Sequence, residues 1–320
     1  MRGIIKLIPD DTNYDFMGWH KIAFVFSCVL ITAGLFFAFQ KNLNFGIDFT
    51  GGTLMEIRTK AEVADIPEIR RLTSDLNVGG ISVQEFGAPN DVLIRIPQQE
   101  RDEEEQKLVM QQVREALDEI VEEYRRVEFV GPQVGAELIA AGRNAMLYAL
   151  LGLLAYIWVR FEWQFSVAAI IALSHDVLLT IGFFAVTQME FTLATVAAVL
   201  MIAGYSINDT VVVFDRVREN LRKYKKKPLR ELYNLSVNQM LARTLMTSIT
   251  TLLALGALWQ FGGEVIRGFV TALIFGIFVG TYSSVFIATA LLLYVRPREK
   301  KGAPQPQGGK KAAKEGGAHG

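Results

Sequence analysis

The sequence predicts an α-helical polytopic membrane protein with six transmembrane helices and one α+β domain between the first and second helices. Three observations lead to this fold class. Hydrophobic residues make up 51% of the 320 residues, and they are concentrated in six runs with few charges. A bilayer core needs roughly 20 apolar residues of helix, so each run is long enough to span it. One polar insert with strand and helix periodicity separates the first run from the others.

The six predicted helices divide the chain into domains. They cover residues 22–39, 138–159, 165–186, 191–213, 243–261 and 268–295. Around them lie a leading segment at 1–21, an insert at 40–137, a five-helix bundle at 138–295 with a basic loop at 215–242, and a tail at 296–320. No cleavage pattern of small residues follows the first helix, so we expect that helix to be retained.

Lysine and arginine set the expected orientation. Basic residues are dense in the loop at 215–242 and in the tail at 296–320, and short basic segments stay on the cytoplasmic side of a membrane. With six helices, the N-terminus is then cytoplasmic too, and the insert at 40–137 lies on the exported side of the membrane. The Gly, Pro, Gln and Lys composition of the tail is typical of a disordered segment.

The insert alternates between strand and helix patterns. Strands are predicted at 53–58, 82–86, 92–96 and 126–130, and helices at 66–76 and 102–123. This βαββαβ order is that of the ferredoxin-like split motif. Residues 40–137 contain neither His nor Cys, so we expect a binding or mechanical domain rather than a catalytic one.

Polar residues inside the predicted helices are the candidates for function, because a charge near the bilayer interior costs several kcal/mol. His175 and Asp176 lie near the middle of helix three, Asn208 and Asp209 lie in helix four, and Arg243 begins helix five. Counted from the cytoplasmic ends of their helices, Asp209 and Arg243 lie at similar depth in the membrane. We therefore expect the two to form a pair, which lowers the cost of both charges.

Hydroxyl groups accompany this pair. Thr244, Thr247, Ser248 and Thr251 follow Arg243 along one side of its helix. We predict a hydrogen-bonded seam between helices three, four and five, in which Asp209 alternates between an Arg-paired charged form and a protonated neutral form. Such a site couples proton flow to movement, with protons as the coupling ion and with no cofactor, no metal and no catalytic residue.

Simpler interpretations of the same residues stay open. Asp209 and Arg243 could be a static pair that fixes helix register. His175 and Asp176 could be a structural hydrogen-bonded couple or part of a proton relay.

Helix six has a stripe of small residues. Gly276 and Gly280 belong to a series in which Gly, Ala or Ser recurs at every fourth position from 272 to 288. Small residues at this spacing let helices approach closely. The neighbour could be another helix of this bundle or a partner half of a pseudo-symmetric transporter.

Five further motifs lie at residues 46–53, 130–135, 174–177, 204–220 and 238–251. Together they resemble the SecF branch of the SecD/SecF family of protein-export membrane proteins, which belongs to the resistance-nodulation-division superfamily. The resemblance extends from about Trp19 to Pro297, and it implies a bacterial inner membrane with residues 40–137 in the periplasm.

The resemblance implies half of a resistance-nodulation-division bundle and a non-enzymatic role in export. The implied partners are SecD, the SecYEG channel, YajC and the unfolded polypeptide in transit, with no specific nucleic acid. The proton-motive force would drive late steps of translocation, with Asp209 as the titrating carboxylate and Arg243 as its partner. The implied hinge or motif residues before the periplasmic domain are Gly46, Asp48, Phe49, Thr50, Gly51 and Gly52.

Two other classes of function are weighed against this one. A small-molecule exporter of the same superfamily usually has much larger exported domains and a duplicated bundle. An intramembrane aspartyl protease would use Asp176 and Asp209 as a dyad, but an arginine beside the second aspartate opposes a shared proton.

Overall fold

The structure is a computed structural model that describes residues 12–76, 80–98 and 103–295. Most of the chain is helical, and one mixed domain follows the first helix. The predicted tail at 296–320 and the first eleven residues of the leading segment lie outside the described residues.

Within the described residues, six helical segments are long and apolar enough to cross a membrane. The chain is thus a helical membrane protein, as predicted. The segments are α1 (Phe16–Lys41), α5 (Pro132–Arg160), α6 (Trp163–Thr187), α7 (Leu193–Lys223), α8 (Leu229–Phe261) and α9 (Glu264–Ser283), which continues through a π-helical turn (Ser284–Ala288) into α10 (Thr289–Val295).

The helices are longer than hydropathy predicts, and the prediction of a loop at 215–242 is wrong. Helix α7 continues to Lys223 and α8 begins at Leu229, so only residues 224–228 connect them. The added turns are charged on their outer side but bury a polar contact between the helices. Asn220 Nδ2 donates to Ser236 Oγ and to Gln239 Oε1, both at 2.9 Å. Hydropathy alone could not find turns that continue beyond the bilayer.

Helix α1 likewise begins before the predicted residue 22. The Asp15 carboxylate accepts the backbone N–H of Gly18 at 2.9 Å and caps the helix. Asn234 and Arg230 of α8 also donate to this carboxylate. These hydrogen bonds, with that of Asn234 foremost, hold the pKa of Asp15 below its ordinary value. The first helix is therefore tied at its start to α8.

The insert contains the six elements predicted for it, preceded by one short helical turn. In chain order they are α2 (Ile47–Thr50), β1 (Gly52–Thr59), α3 (Ile66–Ser74), β2 (Ser82–Phe86), β3 (Ala88–Ile96), α4 (Glu103–Leu117) and β4 (Val121–Val130). The sheet has the order β2-β3-β1-β4, and every neighbouring pair is antiparallel.

Two connections in the insert differ from the prediction by more than two residues. The helix predicted at 102–123 ends at Leu117, since Val121 is buried and pairs with Thr59 of β1. The connection between the strands predicted at 82–86 and 92–96 shrinks from five residues to Gly87, because Phe86 pairs with Ala88. Gly87 has φ +79°, a conformation that glycine adopts without strain.

The core of the insert lies between the sheet and its two helices. Met55, Ile57, Ile69, Ile94 and Leu117 are fully buried there. Such burial contributes about 25 cal/mol for each Å² of apolar surface removed from water. The domain therefore has a hydrophobic core of its own, separate from that of the membrane helices.

A buried aspartate of the insert forms ion pairs with arginines of two other strands. Asp91 of β3 accepts from Arg58 of β1 at 2.8 Å and from Arg125 of β4 at 2.7 Å. The hydrogen bond from Arg58 is the largest cause that lowers the pKa of Asp91 below its ordinary value. Three strands are thus joined through one carboxylate.

Candidate functional site

A buried carboxylate lies at the middle of α6. Asp176 has no exposed surface, and its Oδ1 lies 2.7 Å from Nδ1 of His175. Its other oxygen accepts from the hydroxyl of Ser206 on α7. Both oxygens therefore have partners, as a buried polar group requires.

The same network reaches two helices that sequence reasoning did not include. His175 Nε2 lies 2.8 Å from Oγ of Ser27 on α1. Ser27 Oγ is 3.1 Å from the Tyr282 hydroxyl of α9, which donates to the Ala23 carbonyl at 2.8 Å. Hydroxyl, imidazole and carboxylate groups form a continuous hydrogen-bonded chain from α1 to α7. Groups of these types can hold or pass a proton.

Asp209 lies one helical turn after Ser206 on α7, in a different setting. Only 4% of its surface is exposed, and its Oδ2 is buried without a hydrogen-bond partner among the described residues. A buried carboxylate oxygen that lacks a partner is costly. The cost falls if the group takes up a proton or gains a partner in another arrangement of the helices.

The predicted ion pair between Asp209 and Arg243 is not closed in the structure. No nitrogen of Arg243 lies within 4.0 Å of an Asp209 oxygen, although Arg243 is close enough to act on Asp209 electrostatically. The physical reason is that Arg243 lies on the exposed side of α8, whereas Asp209 is buried in α7. Equal depth in two helices does not place two side chains on facing sides.

A second set of hydroxyls joins α7, α8 and α9. Ser248 Oγ lies 2.7 Å from Oγ1 of Thr281 and accepts from the Tyr205 hydroxyl at 3.4 Å. The exposed Thr247 hydroxyl donates to the Thr244 carbonyl of its own helix, its one hydrogen bond among the described residues. The single predicted seam is therefore two networks, one around Asp176 and one around Ser248.

Several polar residues of the predicted site motifs are exposed on the surfaces of α7 and α8. Asn208 of α7 and Arg243, Thr247 and Thr250 of α8 are exposed within helices that can span a membrane. Polar groups of this kind rarely face lipid, because they lose the hydrogen bonds that water provides. This surface therefore needs a cover of protein or water.

The small residues of α9 lie against α7 within this chain. A Cβ atom added at Gly276 would meet Ile202 at 2.3 Å, and one added at Gly280 would meet Cβ of Ser206 at 3.2 Å. The sequence analysis missed another close approach, in which backbone meets backbone. A Cβ on Gly34 of α1 would lie 2.8 Å from the Cα of Gly182 of α6, so the two backbones are in contact there.

The segment between α1 and β1 is folded against the turn between α6 and α7. Gly46 N–H donates to the Phe191 carbonyl at 3.0 Å, and Asp48 accepts the first backbone N–H of α7, that of Leu193, at 2.9 Å. A carboxylate at a helix N-terminus is stabilised by the helix dipole. Phe49 packs on Phe191 with ring centroids 6.0 Å apart.

The end of this segment needs glycine. Thr50 bonds the Gly46 carbonyl at 3.1 Å, and Gly51 and Gly52 follow with φ +69° and +110°. A Cβ on Gly52 would lie 2.4 Å from the Ile96 carbonyl oxygen. Only glycine allows both this backbone conformation and the close pass of β3.

A charged contact also joins the insert to the bundle. Arg95 of β3 lies 2.8 Å from Glu190 in the turn between α6 and α7, and it donates to Asn44 at 3.0 Å. Sequence reasoning missed these residues, as it missed Ser27, Tyr205 and Tyr282. Polar residues inside an apolar run could have flagged Ser27 and Tyr282, but no local pattern points to Arg95.

Comparison with known proteins gives matches over most of the chain. A family described as "Protein export membrane protein SecD/SecF, C-terminal" matches residues 109–298, and the SecD/SecF GG motif matches residues 36–63. The protein translocase subunit SecF of Rickettsia bellii is 44% identical over 291 residues, 90% of this chain and 95% of that protein. The corresponding subunit of Rickettsia rickettsii is 46% identical, over 90% and 94%.

Two solved structures are also similar. A crystal structure of SecDF, a translocon-associated membrane protein from Thermus thermophilus, matches with a TM-score of 0.81 and 36% identity. SecDF in a super-membrane-facing form matches with a TM-score of 0.63 and 35% identity. This chain covers 39% of the first SecDF chain and 40% of the second, whereas 90% and 92% of this chain are matched.

Proposed function

This chain belongs to the SecD/SecF family of protein-export membrane proteins, and from that premise we propose that it uses the proton-motive force to promote late steps of polypeptide translocation. In this role it is a non-catalytic accessory subunit of the Sec machinery. The energy source is the membrane potential, since one proton that crosses the membrane yields about 2.3 kcal/mol per 100 mV.

The observation that supports proton coupling is the buried and partly unpaired carboxylate of Asp209. Its carboxylate is buried in a membrane helix, and one oxygen has no partner among the described residues. Arg243 lies nearby without closing an ion pair. An arrangement of α7 and α8 that closed the pair would favour the charged carboxylate, and the open arrangement favours the protonated one. Helix movement and proton uptake are then coupled.

We place the protein in the bacterial inner membrane with both termini in the cytoplasm and residues 40–137 in the periplasm. The basic residues between α7 and α8 support this orientation. We also assign the insert to the ferredoxin-like class, because its element order and its strand order β2-β3-β1-β4 match that topology. Residues 46–52 and Arg95 both attach it to the turn between α6 and α7, which suits a domain that moves with the bundle.

The partner is SecD, which would cover the exposed polar surface of α7 and α8. Arg243, Thr247 and Asn208 lie on that surface, where lipid would be an unfavourable neighbour. The solved SecDF chains are more than twice as long as the part that this chain matches, which leaves room for a second bundle. Association with SecYEG, YajC and the moving polypeptide belongs to the same proposal.

The aspartyl protease alternative loses support from the geometry. Asp176 is hydrogen-bonded to His175 and Ser206, and no hydrogen bond joins it to Asp209 among the described residues. A protease dyad needs two carboxylates that share a proton. A small-molecule exporter is disfavoured by the family match to protein-export proteins.

The proposal is tested by export of a secreted reporter in cells whose only copy carries Asp209→Asn. Asparagine keeps the size of the side chain but cannot exchange a proton, so we expect export near the level of a deletion strain at normal membrane abundance. Glu219→Gln is the matched control, because Glu219 is an exposed carboxylate at the far end of the same helix. Normal export by the Asp209 variant would disprove proton coupling at this residue.

A further inference from the structure

One groove at the end of the bundle holds a cluster of basic side chains that the proposed function does not use. It lies between the last residues of α5 and the last turns of α7. It is lined by Arg160, Asp215, Arg218, Glu219, Arg222 and Lys223. Four of these side chains are cations and two are carboxylates, so the lining carries a net charge of +2.

Two of the arginines are held in place before any ligand binds. Arg160 pairs with Asp215 at 2.6 Å, and Arg218 reaches the other oxygen of that carboxylate at 3.5 Å. Both guanidinium groups lie over the ring of Phe161, at 4.9 and 5.5 Å from its centroid. Phe161 is itself buried in the bundle core. A binding group that is already ordered loses less entropy when its ligand arrives.

The other two cations of the groove, Arg222 and Lys223, have no carboxylate partner among the described residues. Glu219 pairs with Arg216 at 2.7 Å, and Arg216 is outside the groove lining. Among the residues that the structure describes, no carboxylate oxygen lies within 4.0 Å of Arg222 or Lys223. Both side chains are exposed, so they can contact a ligand.

The position of the groove along the membrane normal is marked by tryptophan. Trp158 and Trp163, on either side of Arg160 in the chain, are 56% and 54% exposed. Exposed tryptophans concentrate at the level of lipid headgroups. The groove therefore lies where phosphate groups of the bilayer are found.

We propose that this groove binds the phosphate of an anionic phospholipid headgroup. Arginine offers paired N–H donors that match phosphate oxygens, and basic pockets between transmembrane helices are known to take acidic headgroups. A net positive lining selects an anionic lipid over a zwitterionic one. The inference depends on the membrane position of the groove and not on proton coupling or export.

The test is native mass spectrometry of the intact protein in detergent with an equimolar mixture of phosphatidylglycerol and phosphatidylcholine. The unmodified protein should retain phosphatidylglycerol in preference. The double variant Arg222→Gln with Lys223→Gln should reduce this preference by about fivefold for each cation removed. Among the described residues neither side chain has an ion pair to lose, although Lys223 lies over the Tyr224 ring at 5.2 Å. An unchanged melting temperature checks the fold.

The matched control is Lys225→Gln with Lys226→Gln, which removes the same charge from the adjacent connection but leaves the groove lining intact. An equal loss in this control, or equal retention of both lipids by the unmodified protein, overturns the proposal. Inorganic phosphate is added in a separate arm. Displacement of the lipid by an equal concentration of phosphate would assign the groove to a soluble anion and would overturn the lipid assignment.

Discussion

Arg95 of the inserted domain and Glu190 of the membrane bundle form an ion pair at 2.8 Å, although 95 residues separate them in the chain. Both side chains are largely buried, with 17% and 24% of their surfaces exposed. Partly buried pairs are screened less by salt than exposed ones. Together with the Asp48 cap on α7, this contact makes a second attachment between the domain and the helices that carry Asp176 and Asp209.

We predict that Arg95→Gln loosens the domain relative to the bundle. Spin labels at Glu85 and Thr187, both exposed, would report the distance by pulsed electron paramagnetic resonance in a background with Cys28→Ser. The distance distribution should broaden, because the domain would then be held only by the segment at 46–52 and by its chain connection from β4 to α5. Arg126→Gln is the control, since Arg126 pairs with Glu128 inside the domain. An unchanged distribution for Arg95→Gln would show that the ion pair does not restrain the domain.

We predict that Ser27→Ala destabilises the bundle. The hydroxyl lies between His175 Nε2 and the Tyr282 hydroxyl, and its removal leaves a buried polar group with no partner, which costs about 1–3 kcal/mol. The measurement is the melting temperature of the purified protein. Thr187→Ala removes an exposed hydroxyl from neighbouring α6 and should have little effect.

The same variant decides between the two roles left open for His175 and Asp176. Reporter export is measured at matched membrane abundance. A structural couple predicts that export follows the loss of stability and recovers at lower temperature. A relay predicts that export stays low even where the protein is fully folded.

We predict that Gly34→Ala is strongly destabilising. The new methyl group would lie 2.8 Å from the backbone Cα of Gly182, so the two helices must separate, at a cost of about 1–3 kcal/mol. Gly256→Ala in α8 is the matched control, because no atom of the described residues, apart from the nearby backbone of its own helix, lies within 4 Å of its added Cβ. Equal melting temperatures for the two variants would contradict the close crossing of α1 and α6.

We predict that Asp91 stabilises the inserted domain in a pH-dependent way. The hydrogen bond from Arg58 lowers its pKa in the folded state, and the ordinary value is about 3.9. The stabilisation is therefore complete above that ordinary value and is lost as the pH falls through the lower folded-state pKa. Asp91→Asn should destabilise the domain by about 1.5–3 kcal/mol at neutral pH.

This prediction is checked by hydrogen exchange of β1 and β3 in the intact protein, corrected for the intrinsic rate at each pH. The difference between the unmodified protein and Asp91→Asn should shrink as the pH falls below about 4. Glu68→Gln breaks an exposed pair with Arg71 and should change little. A difference that persists at low pH would mean that Asp91 acts through packing instead of charge.

The sequence by itself determined the local features of this protein. Apolar runs of sufficient length predicted the six spanning helices, and residue alternation predicted the order of strands and helices in the insert. These features depend on near neighbours in the chain, so a single sequence reveals them. Charges inside apolar runs also identified Asp176, Asp209 and Arg243 as candidates, because their cost in a membrane depends on residue type alone.

Only the tertiary structure decided which side chains meet. It joined His175 to Ser27, 148 residues away, and Asp176 to Ser206. It also placed Arg243 on the surface of α8, away from contact with Asp209. The physical reason is that the rotation of each helix about its axis follows from packing over its whole length, as at Gly34 and Gly182. Local sequence patterns do not contain that rotation.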